Sequence, residues 1–158
     1  MRLQVNVLAA VCIVFVLAAG CATAPMKPVA GYTQARGDKA AKTAIAMIGR
    51  PYKPKGDSPE GFDCSGLVQY SYLSAGVDVP HGTSGLRSVT SKVTTTAMHL
   101  GDLLFFDENG GRYSHVGMYI GSGYFVHAPS SGKKVRRDSL QDPYWKKSFL
   151  EARRFPVQ

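Results

Sequence analysis

The order of apolar and polar positions divides the chain into segments with different periods. After Met1-Arg2 comes an unbroken apolar run over residues 7–19. A run of about 13 residues fits the hydrophobic region of an export signal and falls short of the ~20 needed to span a bilayer, so residues 1–20 are set apart from the fold. Residues 22–36, with Pro25, Pro28 and Gly31, show neither a helical nor an alternating pattern and read as a flexible tether. Over 38–48, Ala41, Ala44, Ile45 and Ile48 recur at helical spacing, with Asp38 as N-cap and Gly49 followed by Pro51 as the stop. A Gly/Pro-rich loop over 50–61 leads to a second helix that opens at Cys64, aligns Leu67, Val68, Tyr72 and Ala75 on one face, and closes at Gly76. Residues 80–100 are Ser/Thr-rich without a clear period and read as a surface loop with one short helix. From Asp102 the pattern becomes short apolar runs at 103–106, 116–120, 124–128, 134–137 and 149–155, separated by glycine-rich breaks. Helices followed by a block of strands predict an α+β domain over 37–158, with the N-terminal helices packed on an antiparallel sheet.

Composition sharpens this picture. The 158 residues, 44% hydrophobic and 19% charged, suffice for one buried core and exclude general disorder. The formal charge is +8, and the leader contributes only Arg2, so the remaining chain keeps 18 cations against 11 acids. Such a surface is drawn to polyanions: nucleic acid, anionic lipid or an acidic cell wall. Export removes nucleic acid from this set. Lys133, Lys134, Arg136 and Arg137 form the densest basic stretch, which a solvated strand face explains equally well.

The leader ends in Leu17-Ala18-Ala19-Gly20-Cys21, which resembles the lipobox at which bacterial lipoproteins are cleaved and acylated on the cysteine. An ordinary cleavage site, Ala22-Thr23-Ala24, competes with it. There Pro25 would follow the scissile bond, an unfavourable place for a ring that lacks an N–H. Of three cysteines, Cys12 lies in the leader and Cys21 is expected to carry lipid, which isolates Cys64. A lone thiol in an exported domain is either an inert core residue or a reactive one.

The neighbours favour reaction. A cysteine opening a helix has unpaired N–H groups and the helix dipole to stabilise its anion. Amide cleavage also needs a base and a group that orients it. If the hairpin 116–128 closes through Gly121-Ser122-Gly123, Ile120 faces Tyr124 and Gly117 faces His127. His115 and His127 then share a sheet face as diagonal neighbours, ~7 to 8 Å apart in their backbones. Val116, Met118, Ile120 and Val126 take the opposite face as core. Cys64, His115 and His127 would also suit a zinc site with an open position, but no compact spacing such as HExxH or CxxC accompanies them, so no metal or other cofactor is expected. His81 and His99 read as structural.

Four motifs in order carry a family resemblance over residues 43–154: Gly61-Phe62-Asp63-Cys64-Ser65-Gly66-Leu67-Val68, Gly101-Asp102-Leu103-Leu104-Phe105-Phe106, Ser114-His115-Val116-Gly117-Met118-Tyr119-Ile120-Gly121, and Phe125-Val126-His127-Ala128-Pro129-Ser130-Ser131-Gly132. The chain resembles the NlpC/P60 cysteine peptidases, which have a compact papain-like fold and hydrolyse peptide bonds in bacterial cell-wall stems. The resemblance implies Cys64 as nucleophile, His115 as base and His127 as the group that orients it. It also implies Tyr52, Asp63 and Ser65 beside the substrate, although Asp63 equally suits an N-cap and Ser65 a tight turn. Two departures concern specificity. Tyr52-Lys53-Pro54-Lys55-Gly56 stands where many relatives have Tyr-x-Trp-Gly-Gly, and His81-Gly82-Thr83-Ser84 replaces the commoner Pro-Arg-Thr/Ser. The expectation is a monomeric murein endopeptidase, lipid-anchored through Cys21 on the periplasmic face of the outer membrane and acting on peptidoglycan stem peptides. The alternatives are an acyltransferase or lipid hydrolase of the same fold, and a wall-binding lipoprotein without activity.

Overall fold

The computed structural model describes residues 29–108, 110–130 and 133–157. The export segment, Cys21, the tether up to residue 28 and Ser131-Gly132 of the last motif lie outside the described residues.

The first helix, α1 (Gln34–Ala46), starts earlier than the apolar period predicts: Thr33 is its N-cap, with the hydroxyl accepting the Arg36 N–H at 3.3 Å. Asp38 lies inside the helix and accepts from the Gln34 side chain at 2.8 Å. The buried face is Gly37, Ala40, Ala41 and Ala44, small residues that let α1 approach its neighbour closely, while Ile45 and Ile48 are 43% and 45% exposed. The tether reading therefore fails for residues 29–36. Tyr32 is buried, with ring centroids 6.3 Å from Tyr72 and 5.6 Å from Phe155, and Val29 joins the same cluster. One well-packed aromatic can anchor a segment that has no period of its own.

A short hairpin, β1 (Asp57–Ser58) and β2 (Gly61–Phe62), leads into α2 (Cys64–Ser74). Asp63 caps α2, accepting the Gly66 N–H at 2.7 Å, and Leu67, Val68, Tyr72 and Ala75 are buried as their spacing predicts. Residues 80–100 are more ordered than a surface loop: α3 (Thr83–Ser88) is followed by a strand, β3 (Ser91–Val93), and a 3-10 turn at Thr95–Ala97. The strand forms because β3 finds a partner far along the chain, Ser91 opposite Arg154.

Five further elements are strands: β4 (Leu103–Glu108), β5 (Gly111–Gly121), β6 (Tyr124–His127), β7 (Arg136–Ser139) and β8 (Phe149–Arg154). A short helix, α4 (Pro143–Ser148), precedes β8, capped by the Asp142 carboxylate and carrying proline at its start. The six-stranded sheet has the order β3-β8-β4-β5-β6-β7 and every pairing is antiparallel. Alternation along β4 sends Leu103 and Phe105 to the cluster shared with α1 and α2, and Leu104 and Phe106 to a second cluster with Phe125 and Trp145. Both faces are thus apolar, which is why these strands read as continuous runs.

Candidate active site

The β5–β6 hairpin sets the positions of the histidines. It closes more tightly than the sequence suggests, with Gly121 opposite Tyr124 and both Ser122 and Gly123 at positive φ. A two-residue turn of this hand matches the twist of the flanking strands. A bulge between Tyr119 and Gly121 takes up the extra residue, so Tyr119 still faces Phe125 and Met118 faces Val126. That is the register the sequence predicts for this stretch, and it leaves both histidines on the face opposite Val116, Met118 and Val126.

His115 Nε2 lies 2.8 Å from His127 Nδ1, with the rings perpendicular at 89°. His127 Nε2 lies 2.9 Å from Asp138 Oδ2, an oxygen that also accepts from Arg136 Nε and Trp145 Nε1, each at 2.9 Å. At the other end, His115 Nδ1 is 3.2 Å from Glu108 Oε2, and the second Glu108 oxygen accepts from the Tyr144 hydroxyl at 2.9 Å. The four groups Glu108–His115–His127–Asp138 form one continuous chain. Trp145 lies along it, stacked on His115 at 5.6 Å and 27°, and edge-on to His127 at 4.8 Å. A polar cavity of about 420 Å³, lined by Glu108, Lys133, Arg136, Asp138, Tyr144 and Trp145, borders the chain.

Cys64 is the first residue of α2, and its thiol meets the backbone N–H groups of Val116 and Ser65. The structure therefore brings the sulfur to β5 one residue from His115. The helix-start N–H works to lower the thiol pKa as the sequence suggests, but burial outweighs it. Burial pushes it up to about 11; the N–H groups of Val116 and Ser65 work in the opposite direction, while Asp63 and Glu108 add to the rise. Burial likewise drives His115 down to about 4, against the pull of Glu108. His127 is lowered by the same cause and by its neighbour His115. Burial thus disfavours both ions of the pair, the thiolate and the imidazolium.

Tyr52 is half-buried and close enough to Cys64 and Asp63 that, after burial itself, their charges raise its hydroxyl pKa. Asp63 and Ser65 are bound to each other, the Ser65 hydroxyl donating to Asp63 at 2.9 Å, so both sustain the helix start that carries Cys64. Gly66 touches the backbone of Gly56, and any side chain there would collide with the Gly56 carbonyl. His81 bonds Asp63 at 3.2 Å and His99 bonds Gln34 at 3.2 Å; both stand outside the histidine chain. Sequence reasoning did not find Glu108, Asp138 or Trp145. The Asp142-Pro143 helix start was a local signal for the element bearing Trp145, whereas Glu108 and Asp138 carry none.

Residues 49–154 match the NlpC/P60 family. The chain is 35% identical over 130 residues to the murein DD-endopeptidase MepH of Escherichia coli, covering 77% of this chain and 48% of MepH. It is 40% identical over 124 residues to the peptidoglycan DL-endopeptidase CwlO of Bacillus licheniformis, covering 71% of this chain and 26% of CwlO. It thus spans less than half the length of either relative. Among solved structures, an NLP/P60-family protein similar to lipoproteins from Staphylococcus aureus superposes with a TM-score of 0.70 at 30% identity, covering 82% of this chain and 44% of that one. A match over two thirds of the sequence, on a fold that delivers a helix-start cysteine to a paired-histidine strand, places the chain in the NlpC/P60 family.

Proposed function

We propose that this protein is a thiol peptidase of the cell envelope that hydrolyses peptide bonds in peptidoglycan stems or cross-links, held to the membrane through acylated Cys21. The observation that carries the reading is the His115–His127 hydrogen bond one residue from the point where Cys64 meets β5. With Nε2 engaged by His127, Nδ1 is the nitrogen of His115 left to act as base. As the substrate carbonyl arrives, the Cys64 proton passes to Nδ1 and the sulfur bonds to the carbonyl carbon. The imidazolium returns that proton to the leaving amine as the C–N bond breaks, leaving a thioester. Water then gives its proton to Nδ1 and its hydroxide to the acyl carbon, which releases the acid and restores the thiol. The N–H of Cys64 is the proposed donor to the tetrahedral oxyanion. Glu108, 3.2 Å from Nδ1, favours the imidazolium that forms after the transfer.

Relatives named for both the DD and the DL bond support murein as the substrate class. The basic surface supports residence on an anionic wall, with binding that weakens as salt rises. The test is digestion of purified sacculi by the detergent-solubilised full chain, with products identified by mass. New peptide ends that disappear in Cys64→Ala support the reading, and the masses name the bond. Intact sacculi, or acyl transfer to lipid in their place, overturn it. Retention of the protein in a detergent-soluble membrane fraction by Cys21, and its release by Cys21→Ser, tests the anchor.

A further inference from the structure

We propose that Asp138 is a positioning residue of the active site, which fixes the proton of His127 on Nε2 and thereby leaves the Nδ1 lone pair of His115 free to receive the thiol proton. The inference rests on the thiol-peptidase reading of Cys64 and His115 and deepens it.

The chain from Glu108 to Asp138 has three links: hydrogen bonds of 2.8 Å at His115–His127 and 2.9 Å at His127–Asp138, and a 3.2 Å ion-pair approach of Glu108 to His115 Nδ1. Two uncharged imidazoles carry only two N–H donors, and the ionised carboxylates at the ends only accept. One of the three links must lack its proton. If the protons point toward Asp138, His127 holds Nε2–H, His115 holds Nε2–H, and His115 Nδ1 is a bare lone pair. If they point toward Glu108, His127 holds Nδ1–H and His115 holds Nδ1–H; if they point outward, His127 holds Nε2–H and His115 holds Nδ1–H, and two lone pairs face each other across 2.8 Å. In both cases the base has nothing with which to take a proton. The two carboxylates therefore compete to set the tautomers, and only the arrangement pointing to Asp138 is competent.

The groups around each end favour Asp138. Its carboxyl is held below the ordinary carboxylate range: burial opposes the charge, but hydrogen bonds from His127, Arg136 and Trp145 outweigh burial. It faces Arg136 on its own strand, His127 from β6 and Trp145 from α4. Trp145 also stacks on His115, so one side chain orients both the acceptor and the base. Glu108 is shared with the Tyr144 hydroxyl and its His115 link is the longest of the three. When Cys64 delivers its proton to Nδ1, both hydrogen bonds to His127 and Asp138 persist and the new imidazolium lies 3.2 Å from the Glu108 carboxylate. The chain takes up one proton, which is what the attack step releases.

The experiment combines nitrogen NMR of the histidine rings with kinetics, both on the full chain in detergent. In the unmodified protein, His127 is expected to carry its proton on Nε2 and His115 on Nε2. Asp138→Asn keeps an oxygen for the three donors and removes the charge, while Asp138→Ala removes the acceptor. We expect kcat to fall about tenfold in the first and about a hundredfold in the second, with KM little changed. Asp138 raises the His115 pKa, so the acid limb of the rate profile should move to lower pH in both variants. Asp138→Ala should also show His127 with a mixed or Nδ1-protonated ring, and slower alkylation of Cys64 by iodoacetamide at neutral pH. A His127 protonated on Nδ1 in the unmodified protein overturns the inference whatever the variants do. So does Asp138→Ala with unchanged kcat and acid limb. If sacculi are not cleaved at all, the substrate reading fails, while the ring spectra and alkylation rates still decide the role of Asp138.

Discussion

Trp145 stacks on the His115 ring with centroids 5.6 Å apart, and its Nε1–H donates to Asp138 at 2.9 Å. One indole thus packs against the base and supports the far end of the chain that orients it. Trp145→Phe keeps an aromatic surface and deletes the donor. Its expected result is a kcat loss of about three- to tenfold with a stability loss of about 1.5–3 kcal/mol, the range for a hydrogen bond to a charged group. Trp145→Ala should cost about 3–5 kcal/mol of stability as well, because it empties a site in the second core cluster. Kinetics and thermal melts on the two variants separate the roles.

His127→Ala leaves His115 Nε2 without its buried partner. The ring loses its orientation and its fixed tautomer, and kcat should drop by about two to three orders of magnitude. Cys64→Ala should abolish turnover while leaving the melt nearly unchanged, since the thiol is replaced by a smaller apolar group. Product release from sacculi measures both.

Activity and stability should respond to acid in different ranges. His115 sits at about 4 in the folded protein against 6.5 for the free side chain, so it remains an uncharged base until the pH falls toward 4. Turnover should therefore persist well below pH 6.5 and show its acid limb near 4. For stability, the unfolded chain binds protons on His115 and His127 below pH 6.5 while the folded chain resists them. Unfolding then takes up protons, so the melting temperature should fall as the pH is lowered from 6.5 through 4. Replacing both histidines with glutamine should flatten that decline.

Gly66 lies where α2 touches the Gly56 backbone. Gly66→Ala adds a methyl group with nowhere to go, and should destabilise by about 1–3 kcal/mol and displace the start of the helix that carries Cys64. Slower alkylation of the thiol, beyond what the lost stability explains, would show the displacement.

Tyr32 tests the N-terminal boundary of the folded unit. As part of a tether its removal would be neutral; buried against Tyr72 and Phe155, its replacement by alanine should cost about 3–5 kcal/mol. A denaturant melt of Tyr32→Ala decides between the two.

The elements that could be read along the chain were those whose signal is local. Asp63 caps α2, Leu67, Val68 and Tyr72 point one way, and the 116–128 hairpin keeps its register because alternation and turn residues agree with the sheet. The lone Cys64 and the pairing of His115 with His127 followed from those same short-range rules. What needed tertiary structure was every relation between distant segments. Tyr32 is anchored by Tyr72 and Phe155, and β3 exists because β8 lies beside it. Asp138 joins the histidines only once β7 pairs with β6, and Glu108 and Trp145 converge on the same rings from β4 and α4. The thiol pKa followed the same division. A helix start is visible in sequence and argues for a low value, but burial depends on everything that packs around the sulfur, and burial prevailed.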